Sequence, residues 1–182
     1  EDSNREQYLK NLEDESLESI LESVQTKSGD VFFLETGTVH AIGAGMVVAE
    51  IQQTSDITYR LYDFDRKDAN GNTRELHVDL ALDAINYNKV ETERTYSNIE
   101  NQSNTIVDCP YFTTNFIPLN GSVEVDKNGS SFTVYMCVEG RFELEHNNIK
   151  YQYKKGDTVL IPAALKNFKI NGKASILEIY IS

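Results

Sequence analysis

One pattern, met twice, constrains this chain more than any other. Gly29-Asp30-Val31-Phe32-Phe33-Leu34-Glu35-Thr36-Gly37-Thr38-Val39-His40 places a Gly-Asp turn before four apolar residues, a two-residue step, a small residue and, three positions on, a histidine. Gly156-Asp157-Thr158-Val159-Leu160-Ile161-Pro162-Ala163-Ala164-Leu165-Lys166-Asn167 repeats that order imperfectly and ends on asparagine. A turn feeding a short β-favouring run, used twice, marks one supersecondary unit repeated. Imidazole binds zinc, whereas a carboxamide is a poor ligand beside it. The repeat therefore predicts two related β-barrels, of which only the one carrying His40 handles a metal.

Composition narrows the partners. The 182 residues are 40% hydrophobic with ten Tyr and eight Phe, enough for a packed core in one large or two small domains. Seventeen Lys and Arg against 29 Asp and Glu leave a net charge of −12, with no basic surplus to neutralise phosphates. Nucleic acid and anionic membrane are thereby excluded as main partners, while a small anionic ligand needs only one or two local arginines. No apolar run approaches the ~20 residues that span a bilayer, and the opening Glu1-Asp2-Ser3-Asn4 has no signal-peptide character. A cytoplasmic protein is expected. Cys109 and Cys137 have no ligand or framework spacing, so they read as free thiols of a reducing compartment.

Along the chain, Ser3-Asn4-Arg5-Glu6 has the form of a capping box and predicts a short helix carrying Tyr8, Leu9 and Leu12. Ser16 can cap a second helical turn with Leu17, Ile20, Leu21 and Val24 on one face. These make a helical segment, residues 1–28. Val31–Leu34, Met46–Ile51 and Ile57–Tyr62 read as strands, and Asp79 as the cap of a short helix with Val78, Leu82 and Ile85 inward. Residues 29–97 would thus form part of one barrel, incomplete because only about three strands precede a polar linker at residues 98–104. The loop at Asp68–Thr73 fails as a calcium site: with Gly71 sixth, Arg66 stands first and His77 last, where carboxylates belong.

Residues 105–182 predict a complete, metal-free barrel of eight short strands: Tyr111–Ile117, Ser122–Val125, Phe132–Glu139, Arg141–Glu145, Ile149–Tyr153, Thr158–Ile161, Phe168–Ile170 and Ala174–Ile181. Turns are expected at Asn120-Gly121, Asn128-Gly129, Asn147-Asn148, Gly156-Asp157 and Asn171-Gly172. Phe132, Val134, Leu160 and Ile161 are expected to fill its interior. The fold class is mainly β, jelly-roll barrels with a short helical N-terminal segment.

Of the three histidines, His146 falls in a hairpin turn and reads as solvated, and His77 beside a helix start reads as a capping or packing residue. His40, after a buried strand and a Gly-x-x step, points into a barrel mouth as a ligand candidate, against a plain core histidine. Glu50 and Arg60 each place a charge in an otherwise apolar run. That costs desolvation unless the two pair with each other or face a cavity. Such a cavity would suit an anionic or enolate-forming substrate.

These residues carry a resemblance. Gly37–Gly45, then Glu50-Ile51-Gln52-Gln53-Thr54-Ser55-Asp56-Ile57-Thr58-Tyr59-Arg60-Leu61-Tyr62-Asp63-Phe64-Asp65-Arg66, resembles bacterial type I mannose-6-phosphate isomerase, a family of the cupin superfamily; Arg74-Glu75-Leu76-His77 and Lys155-Gly156-Asp157 with Ile161-Pro162 also look like it. The resemblance implies a zinc-dependent aldose–ketose isomerase that interconverts mannose 6-phosphate and fructose 6-phosphate through an enediolate. It puts His40 on a metal ligand, Arg60 on the active-site arginine, and Glu50 and Asp56 on acidic positions beside the same cavity. It also implies that the other zinc ligands lie in an upstream half absent from this chain. As a C-terminal fragment the chain would be inactive alone, and residues 25–66 would be covered by that half or by a second copy. The competing expectations are a non-catalytic sugar-binding cupin and a scaffold module.

Overall fold

The computed structural model describes every residue except Glu1, Asp2, Asp56, Asp65, Asn128 and Ser182. The site expectation for Asp56 and the turn expected at Asn128 lie outside the described residues. The chain divides into two compact units, Glu1–Val47 with Thr54–Glu93, and Val48–Gln53 with Arg94–Ser182.

The first unit is held by helices. α1 (Arg5–Glu13) starts one residue later than the capping box suggested: the Asn4 side chain accepts from the Gln7 N–H at 2.8 Å. The Ser3 hydroxyl donates instead to the Tyr87 carbonyl at 3.1 Å. Asn is as good an N-cap as Ser, and Glu6 in the first turn and Lys10 in the last suit the helix dipole. A 3-10 turn follows at Leu17–Ile20, with no side-chain bond from Ser16 to cap it. α2 (Val78–Ala84) begins behind His77, so Asp79 sits in its first turn and is not the cap. Tyr8, Leu17 and Leu82 are the buried centre, with Val39 and Leu61 packed on them, and the Tyr8 and Tyr87 rings meet edge-on at 5.5 Å.

Strand expectations fail between Val31 and Tyr62. Val31–Leu34 contracts to β1 (Val31–Phe32), which forms a two-stranded ladder with β2 (Glu93–Arg94) where the unit ends. Met46–Ile51 and Ile57–Tyr62 are irregular, with Met46, Val47, Val48, Ile57 and Tyr59 exposed. Strand preference is mostly a preference for packing against a neighbouring strand, and neither segment has one among the described residues.

The second unit is the antiparallel sheet that makes the protein mainly β. Its strands are β3 (Asn104–Asp108), β4 (Thr113–Asp126), β5 (Thr133–His146), β6 (Ile149–Lys154), β7 (Thr158–Ile161) and β8 (Asn167–Tyr180). The order is β3-β4-β8-β5-β6, and β7 joins the edge of β5 at Thr133–Met136 while β6 takes that edge at Arg141–His146. The long strands β4, β5 and β8 each fuse two of the expected short ones. Asn120-Gly121 and Asn171-Gly172 are therefore not turns. They lie opposite each other in the β4–β8 ladder, and Gly172 also faces Phe142 of β5.

The glycines there serve close approach. Gly172 has φ +145°, and a Cβ on it would lie 2.6 Å from the Arg141 carbonyl oxygen. A bulge between Cys137 and Glu139 adds a further irregularity in β5. By contrast, Asn147 and Asn148 make a true two-residue hairpin, both with positive φ.

The sheet's core is Ile117, Leu119, Tyr135, Cys137, Phe142, Leu144, Ile161, Phe168, Ile170 and Ile176. Ile161 is inside as expected, but Phe132 and Leu160 are exposed and Val134 is only half-buried. The expected interior of β5 is out of phase by one residue: Thr133 and Tyr135 point inward. With a side-chain period of two, a one-residue slip exchanges faces.

Candidate functional site in the first unit

His40 follows Val39, whose side chain is seated on the helical core. Gly37 sets the approach. It has φ +89°, its carbonyl accepts the Asn86 N–H at 2.9 Å, and a Cβ on it would lie 2.6 Å from the Ala84 carbonyl oxygen. The Gly-x-x-His step therefore exists to pass the end of α2 closely, and His40 is delivered to solvent, not into a barrel mouth. Its Nδ1 lies 2.8 Å from the Thr38 carbonyl. A carbonyl only accepts, so Nδ1 carries a proton, and Nε2 is the nitrogen left to meet a metal. A metal-binding histidine is commonly oriented in this way.

Arg60 lies at the centre of an ionic cluster. Its backbone is bonded twice to His77: the Arg60 N–H donates to His77 Nδ1 at 3.3 Å, and the His77 N–H donates to the Arg60 carbonyl at 2.8 Å. The Nη1 of Arg60 donates to the Glu75 carbonyl at 3.2 Å, and its Nε lies 4.0 Å from Asp63 Oδ1. Asp63 is a buried carboxylate gripped by Arg74 through both oxygens, with Nε to Oδ2 at 2.8 Å and Nη2 to Oδ1. That bidentate bond, with the charges of Arg74, Arg60 and Arg66 behind it, holds the Asp63 carboxyl below the usual carboxylate range. Among the described residues Nη2 of Arg60 takes no hydrogen bond, and the side chain is 23% exposed. Nη2 thus keeps its N–H donors free of the described residues.

Asp63 is the residue that the sequence reading missed. Arg60 pairs with it and not with Glu50, which is exposed in an irregular segment. The signal was present as an acidic residue three positions after Arg60, backed by the arginine of Arg74-Glu75-Leu76-His77. No hydrogen bond or ion pair links His40 to Arg60. His77 is the packing residue expected of it: its Nδ1 accepts, so its proton is on Nε2, 3.9 Å from Glu75 Oε2.

In the second unit, His146 Nδ1 is bonded to the Asn167 carbonyl at 2.9 Å and its Nε2 to the Asn147 side chain at 2.9 Å. Both ring nitrogens are occupied. Glu178 accepts from Tyr135, Asn115 and Ser103 at 2.7, 2.9 and 2.8 Å, which satisfies a carboxylate on the sheet without leaving it open to a ligand. Burial pushes the hydroxyl of Tyr135 and the thiol of Cys137 up from their ordinary values; both cysteines are free.

A zinc site requires three or four ligands. Among the described residues no group of three His, Cys, Asp or Glu side chains could hold a metal. His40 offers one well-oriented nitrogen, so these residues alone do not fit a zinc ion. No helix among them is long and apolar enough to cross a membrane.

Comparison with known proteins agrees with the family resemblance read from the sequence. Residues 102–181 match the family described as "Mannose-6-phosphate isomerase, cupin domain". Over 176 residues the chain is 36% identical to mannose-6-phosphate isomerase ManA of Bacillus subtilis, covering 95% of this chain and 56% of that one. It is 31% identical over 160 residues to the mannose-6-phosphate isomerase of Streptococcus mutans, covering 87% and 50%. The chain therefore spans about half the length of the curated relatives it matches. Among solved structures, the mannose 6-phosphate isomerase from Bacillus subtilis superposes with a TM-score of 0.61 at 32% identity, over 69% of this chain and 40% of the other.

Proposed function

We propose that this chain, whose residues 102–181 match the cupin-domain model of the mannose-6-phosphate isomerase family, works as part of an aldose–ketose isomerase interconverting mannose 6-phosphate and fructose 6-phosphate. The observation that carries this reading is the 36% identity to an isomerase across 95% of the chain, the segment with His40 and Arg60 included.

The chemistry assigned to this chain's residues follows from their geometry. Moving a proton between C1 and C2 of the sugar passes through an enediolate whose negative charge must be offset. Arg60 has a fixed stem, an Nη2 without a hydrogen bond among the described residues and a charge only partly countered by Asp63, and it would supply that offset. Glu50 and Asp56 would stand beside the sugar. Zinc dependence enters as part of the same reading, with Nε2 of His40 as one ligand and the others from outside the described residues. A phosphorylated hexose is then the partner of the site, and the exposed apolar residues between 42 and 64 are where a second copy or another part of the enzyme would sit.

The test is made on the full-length isomerase. Arg60→Ala should lower kcat by about 10²–10³ with the melting temperature little changed, and His40→Ala should lose bound zinc. An active Arg60→Ala enzyme with unchanged metal content in His40→Ala would remove the roles given to these two residues, and a full-length parent without isomerase activity would leave the non-catalytic sugar-binding cupin as the reading.

A further inference from the structure

We propose that Arg74 is a positioning residue: by gripping Asp63 it keeps that carboxylate from closing on Arg60, and so leaves the Arg60 charge available to substrate. The inference rests on the reading of Arg60 given above.

Asp63 is buried between two arginines, and its single negative charge cannot neutralise both. Arg74 takes it in a two-pronged bond, whereas the nearest contact to Arg60 is an Nε–Oδ1 separation of 4.0 Å. Two parallel N–H bonds to both oxygens are the strongest arrangement a carboxylate finds with a side chain, so the competition is settled in favour of Arg74. The remaining anchors of Arg60 are all neutral: the Glu75 carbonyl on Nη1 and the two backbone bonds to His77. Arg60 is therefore held firmly while its charge is not cancelled at contact distance.

Removing Arg74 changes that balance without touching the site directly, because the Arg74 side chain is half-exposed. The freed Asp63 would otherwise be a buried, unpaired carboxylate, which is strongly disfavoured, and of the cations left around it, Arg60 and Arg66, it is Arg60 that already stands at 4.0 Å. Its guanidinium would be drawn into a closed ion pair.

The experiment is a cycle on the full-length, metal-loaded isomerase. Arg74→Ala should lower kcat about tenfold, less than the 10²–10³ expected for losing a charge-stabilising donor outright, with KM and metal content near those of the parent. The double variant Arg74→Ala with Asp63→Asn should recover most of that loss, because no carboxylate remains to capture Arg60. A scaffold damaged by the unpaired carboxylate would also recover in the double variant. It would betray itself in a melting temperature lowered in proportion to the lost activity, whereas capture of Arg60 lowers kcat with the protein still folded at the assay temperature. Arg74→Lys, which keeps the charge but not the fork, should fall between. Unchanged kcat in Arg74→Ala, or a double variant no better than the single, overturns the proposal. If Arg60→Ala itself keeps full activity, the reading of Arg60 has failed. The positioning is then decided by nitrogen NMR of the Arg60 Nε–H in this 182-residue chain. A signal that shifts to that of a carboxylate-paired guanidinium in Arg74→Ala supports it, and an unmoved signal rejects it.

Discussion

At residues 27–30 and again at 154–157 the chain makes the same turn. The Asp30 carboxylate accepts the Lys27 N–H at 2.8 Å, and the Asp157 carboxylate accepts the Lys154 N–H at 2.9 Å. Gly29 and Gly156 have φ of +95° and +92°. The segments then part. After the second turn the backbone is fastened to β5 by the Gly156 N–H on the Cys137 carbonyl at 2.8 Å and the Cys137 N–H on the Asp157 carbonyl at 3.0 Å, and β7 runs on for four residues. After the first, β1 ends within two residues, and the Phe33 N–H donates to the Thr92 carbonyl at 2.8 Å. A turn of this kind is closed by residues three apart and needs nothing else. A strand needs a neighbour with free N–H and C=O groups and an apolar face to cover.

The comparison is sharpest at the fifth residue after each glycine. Ile161 is 4% exposed and Leu34 is 39% exposed. Ile161→Ala should cost about 2–5 kcal/mol, and Leu34→Ala no more than about 0.5 kcal/mol. Chemical denaturation of the two variants side by side checks this, and equal losses would mean that Leu34 is covered in solution by a partner. Gly37 comes next, aligned with Ala164 of the second copy. Gly37→Ala should destabilise by about 1–3 kcal/mol, because it combines positive φ with contact against the end of α2, whereas Ala164→Gly should cost no more than about 1 kcal/mol. Melting temperatures of both decide whether the repeat has drifted at this step.

Asp30→Ala and Asp157→Ala each remove one acceptor of a backbone N–H, worth about 1 kcal/mol net. If the two turns are the same device their losses should match, and a twofold disparity in denaturation free energy would break the equivalence. The gentlest test is acid titration. The folded-state pKa of Asp63 is depressed by the Arg74 bond. Its contribution is therefore present above the ordinary carboxylate value and lost as pH falls through the folded one. Circular dichroism of the helical unit between pH 5 and pH 2 should show a shallower acid decline in Arg74→Ala than in the parent.

Much of the fold was legible because it is local. The helices near Arg5 and Val78, the Asn147-Asn148 hairpin and the Gly-Asp turns all depend on residues within about one turn of each other, where capping side chains and positive φ act. What misled was chemistry with two readings. Asn120-Gly121 and Asn171-Gly172 look like turns, yet they face each other across a long ladder in which glycine permits close approach. The apolar runs at Met46–Ile51 and Ile57–Tyr62 have strand composition and no partner to pair with. At the site, the position of His40 was readable from its motif, but its outward delivery depends on Gly37 meeting α2, more than forty residues away in sequence.

Sequence alone therefore determined the mainly β class, the family likeness, the repeated turns and the identity of His40 and Arg60 as residues to examine. Each of these is written in residue types at short spacing. Tertiary structure decided how long the strands run, which face of β5 is inside, and that the partner of Arg60 is Asp63 under the grip of Arg74. Those outcomes depend on which distant edges and charges meet. The free energy of a ladder or a buried ion pair belongs to both members at once, and no single segment of the chain contains it.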